Sequence, residues 1–228
     1  MKKAAVCFSG HVRNYSAYLD FFKTNIIDAN RGYDFDVFIS TWSTRNTINS
    51  HAYKRGEIDC NTFDINDLIQ AYNPTSILIE KCNVDVFHQY KHYIGGAIPE
   101  AVFAQFYKLK QVFKLLSSYK ESNNLNYEVV IRARFDYRFK HDINIEGIDL
   151  SNFNVENEGM GEDWVSDKFS ISTYDIFMVY ATFFDNLERL IHKTQQNISE
   201  RLLSRFLVEN NIKVFKNDML NPYSWPPL

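Results

Sequence analysis

Apolar and polar positions alternate along the chain in two rhythms. Residues 3–9, KAAVCFS, form a short apolar run that ends at Gly10, as a buried strand does. Residues 15–28 follow, with Tyr18, Phe21, Phe22 and Ile26 near helical spacing. A second strand is predicted over 35–40, FDVFIS, ending in Thr41 and Trp42. Residues 43–62 are polar and irregular and read as a loop over the sheet edge. A short helix over 64–72 has Asp64 in the N-cap position, and Pro74 separates it from a third strand over 76–80. A second loop, 84–96, carries His88, His92 and a Gly pair. Pro99 then opens the longest helix, to about 122, with Val102, Leu109, Val112 and Leu116 as its apolar seam. Strand, helix, strand, helix, strand is the α/β pattern.

The stretch 128–140, EVVIRARFDYRFK, begins as a strand. Val129, Ile131, Ala133 and Phe135 share one face; Val130, Arg132, Arg134 and Asp136 share the other. Residues 141–163 hold few signals. A short strand is predicted over 169–172, then a helix over 173–193 with Ile176, Phe177, Tyr180, Phe184, Leu187 and Leu190 on its core side. Asn197 is placed to cap a helix over 198–210, and 212–215 reads as a last short strand. No repeat or composition break divides the chain, so residues 1–228 read as one domain.

Composition narrows the class. At 45% hydrophobic and 16% aromatic, the chain has enough apolar material for a sizeable core. A net charge of −3 with scattered lysines and arginines lacks the basic bias of a nucleic-acid binder. The three cysteines, Cys7, Cys60 and Cys82, show no CxxC spacing, which argues against zinc and fits a reducing compartment. No apolar stretch approaches a membrane span. The expected setting is cytoplasmic, with peripheral attachment to a membrane surface or to a larger polypeptide left open.

Two places carry candidate chemistry. Ser9-Gly10 ends the first strand and Arg13 follows, a turn able to offer backbone N–H groups and a guanidinium to a phosphate. An ordinary βα turn with a solvated arginine is the alternative. The Arg132-x-Arg134-x-Asp136 strand end would deliver charge to the carboxyl edge of the sheet, where open α/β sheets bind ligands. Two guanidiniums suit phosphate, and a carboxylate suits a ribose hydroxyl or a divalent cation. The alternative is an Arg–Asp ion-pair ladder on a half-exposed strand. Gln105 lies on the apolar seam of the long helix and must find a partner, either backbone or ligand. His88 and His92 are four apart, but no carboxylate or cysteine completes a metal set, so a solvated pair is the preferred reading.

Four stretches, in order, resemble the small GT-A-type glycosyltransferases of bacterial surface-polysaccharide clusters and large DNA viruses. They are CFSGHVRNY; DVFISTW; AQFYKLKQVFKLL with YEVVIRARFDYRF; and WVSDKFSIST with SERLLSRFLVENN. The resemblance implies a GT-A-like (Rossmann-like) central mixed sheet flanked by helices, in an enzyme moving a sugar from a nucleotide-sugar donor, such as a UDP-sugar, to a glycan or lipid-linked acceptor. It implies nucleotide contacts at Ser9, Gly10 and Arg13. Asp136 would take the place of the first acid of an Asp-x-Asp motif, meeting ribose and a Mn²⁺ or Mg²⁺ on the diphosphate. The second acid is here Arg138, so Arg132, Arg134 or Arg138 could instead offset the diphosphate charge. An inverting reaction needs a carboxylate base, and the candidates are Asp167, Glu200 and Asp163, in a site where Trp164 could stack on a sugar ring. Asp167 is preferred. Glu200, three residues after Asn197, also suits a capping box. The loops 43–62 and 83–97 could close over the site to exclude water. A non-catalytic nucleotide- or glycan-binding domain is the main rival. A sulfotransferase ranks lower, since the first turn lacks a lysine-bearing loop.

Overall fold

The computed structural model describes residues 1–45, 61–81, 99–196 and 198–222. Seven strands form one sheet: β1 (Lys2–Gly10), β2 (Tyr33–Trp42), β3 (Ser76–Glu80), β4 (Val129–Ala133), β5 (Phe153–Glu156), β6 (Phe169–Ser172) and β7 (Val214–Asn217). Their order is β3-β2-β1-β4-β6-β5-β7. The pairs β1–β2, β1–β4 and β2–β3 are parallel. Strand β6 runs antiparallel to β4 and to β5, and β7 returns parallel to β5. The protein is therefore α/β with a mixed sheet flanked by helices. From β1 the chain builds outward to β2 and β3, then crosses back to lay β4 on the other side of β1. That reversal makes the carboxyl ends of β1 and β4 a topological switch point, where open α/β sheets form their ligand crevice.

The strand alternation sorts two cores. Ala5, Cys7, Phe38 and Val130 face one side, under α3 (Pro99–Ser122), α4 (Tyr174–Ala181), α5 (Phe183–Thr194) and α6 (Ser199–Glu209). Val6, Phe8, Val129, Ile131 and Phe135 face the other, under α1 (Tyr15–Phe22) and α2 (Ile65–Tyr72). Leu109, Val112 and Leu116 of the α3 seam are fully buried. Asp64 caps α2, accepting from the Asn66 N–H at 2.8 Å.

Several elements depart from their sequence pattern. Strand β4 stops at Ala133, and the chain turns, the Tyr137 N–H donating to the Arg134 carbonyl at 3.2 Å. The charged end of the stretch is thus a turn and not extended strand. Helix α1 runs on through a π-turn (Lys23–Ile27) and a 3-10 turn (Asp28–Asn30). The helix expected over 173–193 breaks at Thr182, whose hydroxyl donates to the Val179 carbonyl at 2.8 Å. Strand β5 was hidden by its own polar residue: buried Asn154 donates to the carbonyls of Asp149, Asn152 and Ile171. Among the described residues no helix is long and apolar enough to cross a membrane.

Candidate functional site

The site starts in the turn after β1. Gly10 has φ +106°, a conformation L side chains rarely adopt. Arg13 is also left-handed, φ +46°, which costs a non-glycine residue roughly 1–2 kcal/mol. The exit of β2 holds the turn in place. The Thr41 hydroxyl donates to the Gly10 carbonyl at 2.7 Å, and the Arg13 N–H donates to the Arg45 carbonyl at 3.1 Å. The His11 Nδ1–H donates to the Thr44 carbonyl at 3.1 Å. Burial first, then the charges of Arg13, Lys108 and Arg134, push the His11 pKa down to about 4, so the ring is neutral at pH 7.

So held, the Arg13 guanidinium crosses the crevice to Asp136 Oδ2. Arg134 grips the same carboxylate in a fork, Nε to Oδ1 at 2.9 Å and Nη2 to Oδ2 at 2.8 Å. The β4 turn makes this two-residue fork possible by folding Asp136 back under Arg134. Burial alone would raise the Asp136 pKa, but the two guanidiniums outweigh it and hold the carboxyl well below its usual range. On the far side, Arg134 Nη1 lies 4.0 Å from Asp167 Oδ1, a carboxylate buried to 8% side-chain exposure. Glu200 lies beyond it; burial, then the Asp167 charge, raise its pKa. The crevice therefore runs Arg13, Asp136, Arg134, Asp167, Glu200.

Arg132 sits below this line. It is fully buried, and its Nε donates to the Ser9 hydroxyl at 3.3 Å. Gln105 is half-buried, and its amide nitrogen is buried without a hydrogen-bond partner.

Other expected residues lie elsewhere. Arg138 does not share a face with Asp136. The turn sends it to α1, with its guanidinium 5.1 Å over the Phe21 ring, away from the crevice. Asp163 is 65% exposed and pairs with Arg201 at 3.1 Å, which leaves it a surface carboxylate. Trp164 donates its indole N–H to Glu158 at 2.6 Å, and Glu158 also pairs with Lys168. The first turn of α6 has Ile198 as its N-cap, and Glu200 accepts from the Ser199 hydroxyl at 2.8 Å. Asn197, the expected capping-box partner, lies outside the described residues, as do His88, His92 and most of both expected loops. The two ends of the first loop meet: Thr44 and Thr62 form a β-bridge, and the Arg45 N–H donates to the Asn61 carbonyl at 3.0 Å.

Three further groups escaped the sequence reading. His11 is one. The second is Lys108, fully buried on α3, which donates to Glu80 at 2.6 Å and lies 3.9 Å over the Trp42 ring. A lysine one residue from an apolar seam was the available signal. The third is Glu156 on β5, 1% exposed, which accepts from the Ser166 hydroxyl at 2.6 Å.

Asp136 was expected to meet a divalent cation. Both its oxygens are taken by guanidiniums, and a cation there would sit against two positive charges. No three His, Cys, Asp or Glu side chains converge among the described residues. This arrangement does not fit Mn²⁺ or Mg²⁺. It fits an anion replacing Asp136 between the arginines.

No protein-family model matches the chain, and no curated protein matches it in sequence.

Proposed function

We propose that the protein is a GT-A-like glycosyltransferase that takes a sugar from a nucleoside-diphosphate donor and gives it to a glycan or lipid-linked acceptor. One observation carries the reading. The two strands that flank the switch point end in charged groups, and those groups meet: Arg13 from β1 and Arg134 from β4, on Asp136. The donor diphosphate enters the crevice and takes hydrogen bonds from Arg13 and Arg134. Positive charge at that point stabilises the departing nucleoside diphosphate. Asp136, released from Arg13, accepts from a ribose hydroxyl. The backbone at Ser9 and Gly10 lies along the nucleotide. Asp167 is the base for the acceptor hydroxyl, and Glu200 beside it takes up the proton at its raised pKa. No step requires a metal ion.

A second reading has its own support. Both oxygens of Asp136 are held by Arg13 and Arg134, as a binding domain without turnover would allow. Calorimetry and turnover with a panel of nucleotide sugars separate the two. Transfer or donor hydrolysis that is lost in Asp167→Asn supports the enzyme. Tight binding with no turnover on any acceptor supports the binding domain. The absence of binding by every nucleoside diphosphate removes both.

A further inference from the structure

Arg132 presents a separate problem. It is fully buried at the centre of the sheet, with Cys7 opposite it on β1 and Ser170 opposite it on β6. Its Nε is satisfied by Ser9, but Nη1 and Nη2 are buried without a hydrogen-bond partner among the described residues. Of the neighbouring carboxylates, Asp136 is held by Arg13 and Arg134, and Asp167 lies 4.0 Å from Arg134 without a hydrogen bond to Arg132. The closest ionisable neighbours do not supply a negative charge, since burial pushes the Cys7 thiol and the Tyr180 phenol far above neutrality. A buried cation without an anion is strongly disfavoured.

The other unsatisfied buried groups on this side of the sheet share one character. The Ser170 and Ser40 hydroxyls and the Gln105 amide nitrogen can all donate. Ser170 is the cross-strand neighbour of Arg132, and Ser40 is the neighbour of Ser9. A further donor beside an unpaired guanidinium, as Ser170 is, calls for an acceptor with negative charge. Water would satisfy the N–H groups but leave the charge.

We propose that the Nη edge of Arg132 binds a small monoanion of halide size, buried beneath the crevice and separate from the donor. Access decides against the donor phosphates as its source. Arg13 and Arg134 are 24% and 18% exposed along the crevice, whereas Arg132 is closed off entirely. The anion would complete the centre of the sheet and stabilise the folded state by mass action.

The test uses thermal unfolding of the whole chain in sodium chloride and in sodium gluconate at equal ionic strength, with a bromide-soaked crystal beside it. Chloride should raise the wild-type Tm by about 3 °C or more over gluconate, a shift of the size that ligand binding gives a chain of this length. Arg132→Met should lose that difference, and bromide should give an anomalous peak at the Arg132 Nη edge. Equal Tm values in the two salts, with no bromide peak, would overturn the proposal in favour of ordered water. A bromide peak without a Tm difference would mean an adventitious ion only, and would overturn it too. Stabilisation by pyrophosphate but not chloride, lost in Arg132→Met, would assign Arg132 to the donor instead. If Arg132→Met does not fold, the wild-type salt comparison and the bromide peak decide. The donor reading is tested at Arg13 and Asp167, so the two can fail separately.

Discussion

Asp136 shows how little of a site's chemistry is settled by residue type. In the sequence it is one acid after two arginines, equally suited to a metal, a ribose or an ion pair. The turn after Ala133 decides, because it swings the carboxylate back onto Arg134 and within reach of Arg13. Alternation alone could not show that turn, since the pattern of apolar residues continues through Phe135, Tyr137 and Phe139, all buried. Replacing Asp136 by Asn should lower unfolding free energy by about 3 kcal/mol in urea titrations, since two buried guanidiniums then share a neutral partner. Because its folded pKa is depressed, its contribution is complete above the usual carboxylate range and is lost only in strong acid. Glu156 has the opposite sign. Burial raises its pKa from 4.5 to about 7, with Ser166 and Lys168 only partly opposing. The folded state then holds a proton that the unfolded chain has released, so the contribution of Glu156 falls as pH rises from about 4.5 to about 7, while His11, neutral in the folded state, adds an opposing rise between about 4 and 6.5. Glu156→Gln should flatten that fall and stabilise the protein at pH 8 by about 3 kcal/mol relative to wild type, measured by denaturant unfolding at pH 5 and pH 8. A stability difference between Glu156→Gln and wild type that does not widen from pH 5 to pH 8 would sink the assignment.

At the scale of elements, the parallel half was legible, and so were β6 and, within two residues, β7; β5 was not. β1, β2, β3 and α3 are apolar runs or seams bounded by glycine, proline and caps, and each lies within a few residues of its expected span. β5 is four residues long between asparagine-rich turns, and its pairing is fixed by β6 and β7, which lie far off in sequence. No local pattern encodes such a strand. The docking of α3 over the carboxyl edge of the sheet depends on a pair that was equally illegible, Lys108 and Glu80. Lys108 is wholly buried, whereas the Glu80 side chain is 31% exposed. Tyr107 donates to the same carboxylate at 3.0 Å. Glu80→Ala takes that carboxylate from a buried ammonium and should cost about 3 kcal/mol; Lys108→Met removes the charge itself and should cost less than half as much. Equal losses in chemical denaturation would show that the pair acts as packing alone.

For the whole molecule, the topology and the charge pattern point to one place. The chain as a whole carries −3, yet the crevice between β1 and β4 collects Arg13 and Arg134 with Arg132 beneath. The location was legible, because two predicted strands ended in charge and open α/β sheets bind at such ends. The division of labour was not. Only the fold separates Arg134 in the crevice from Arg132 beneath it and from Arg138 over Phe21. This division makes a prediction about metal dependence. If a nucleoside diphosphate binds by replacing Asp136 between two guanidiniums, its negative charge is already offset, and a divalent cation would compete with the arginines for the same oxygens. Affinity for UDP or another nucleoside diphosphate that binds should therefore change less than about twofold between excess EDTA and millimolar Mn²⁺. Arg13→Ala should weaken it at least about tenfold, the loss of roughly one charge-assisted hydrogen bond. Arg138→Ala, far from the crevice, should leave it unchanged. Calorimetry on the three proteins in both media gives the answer. Binding that appears only with Mn²⁺ would show that Asp136 leaves its arginines for a metal, and the charge-replacement mechanism would then be wrong.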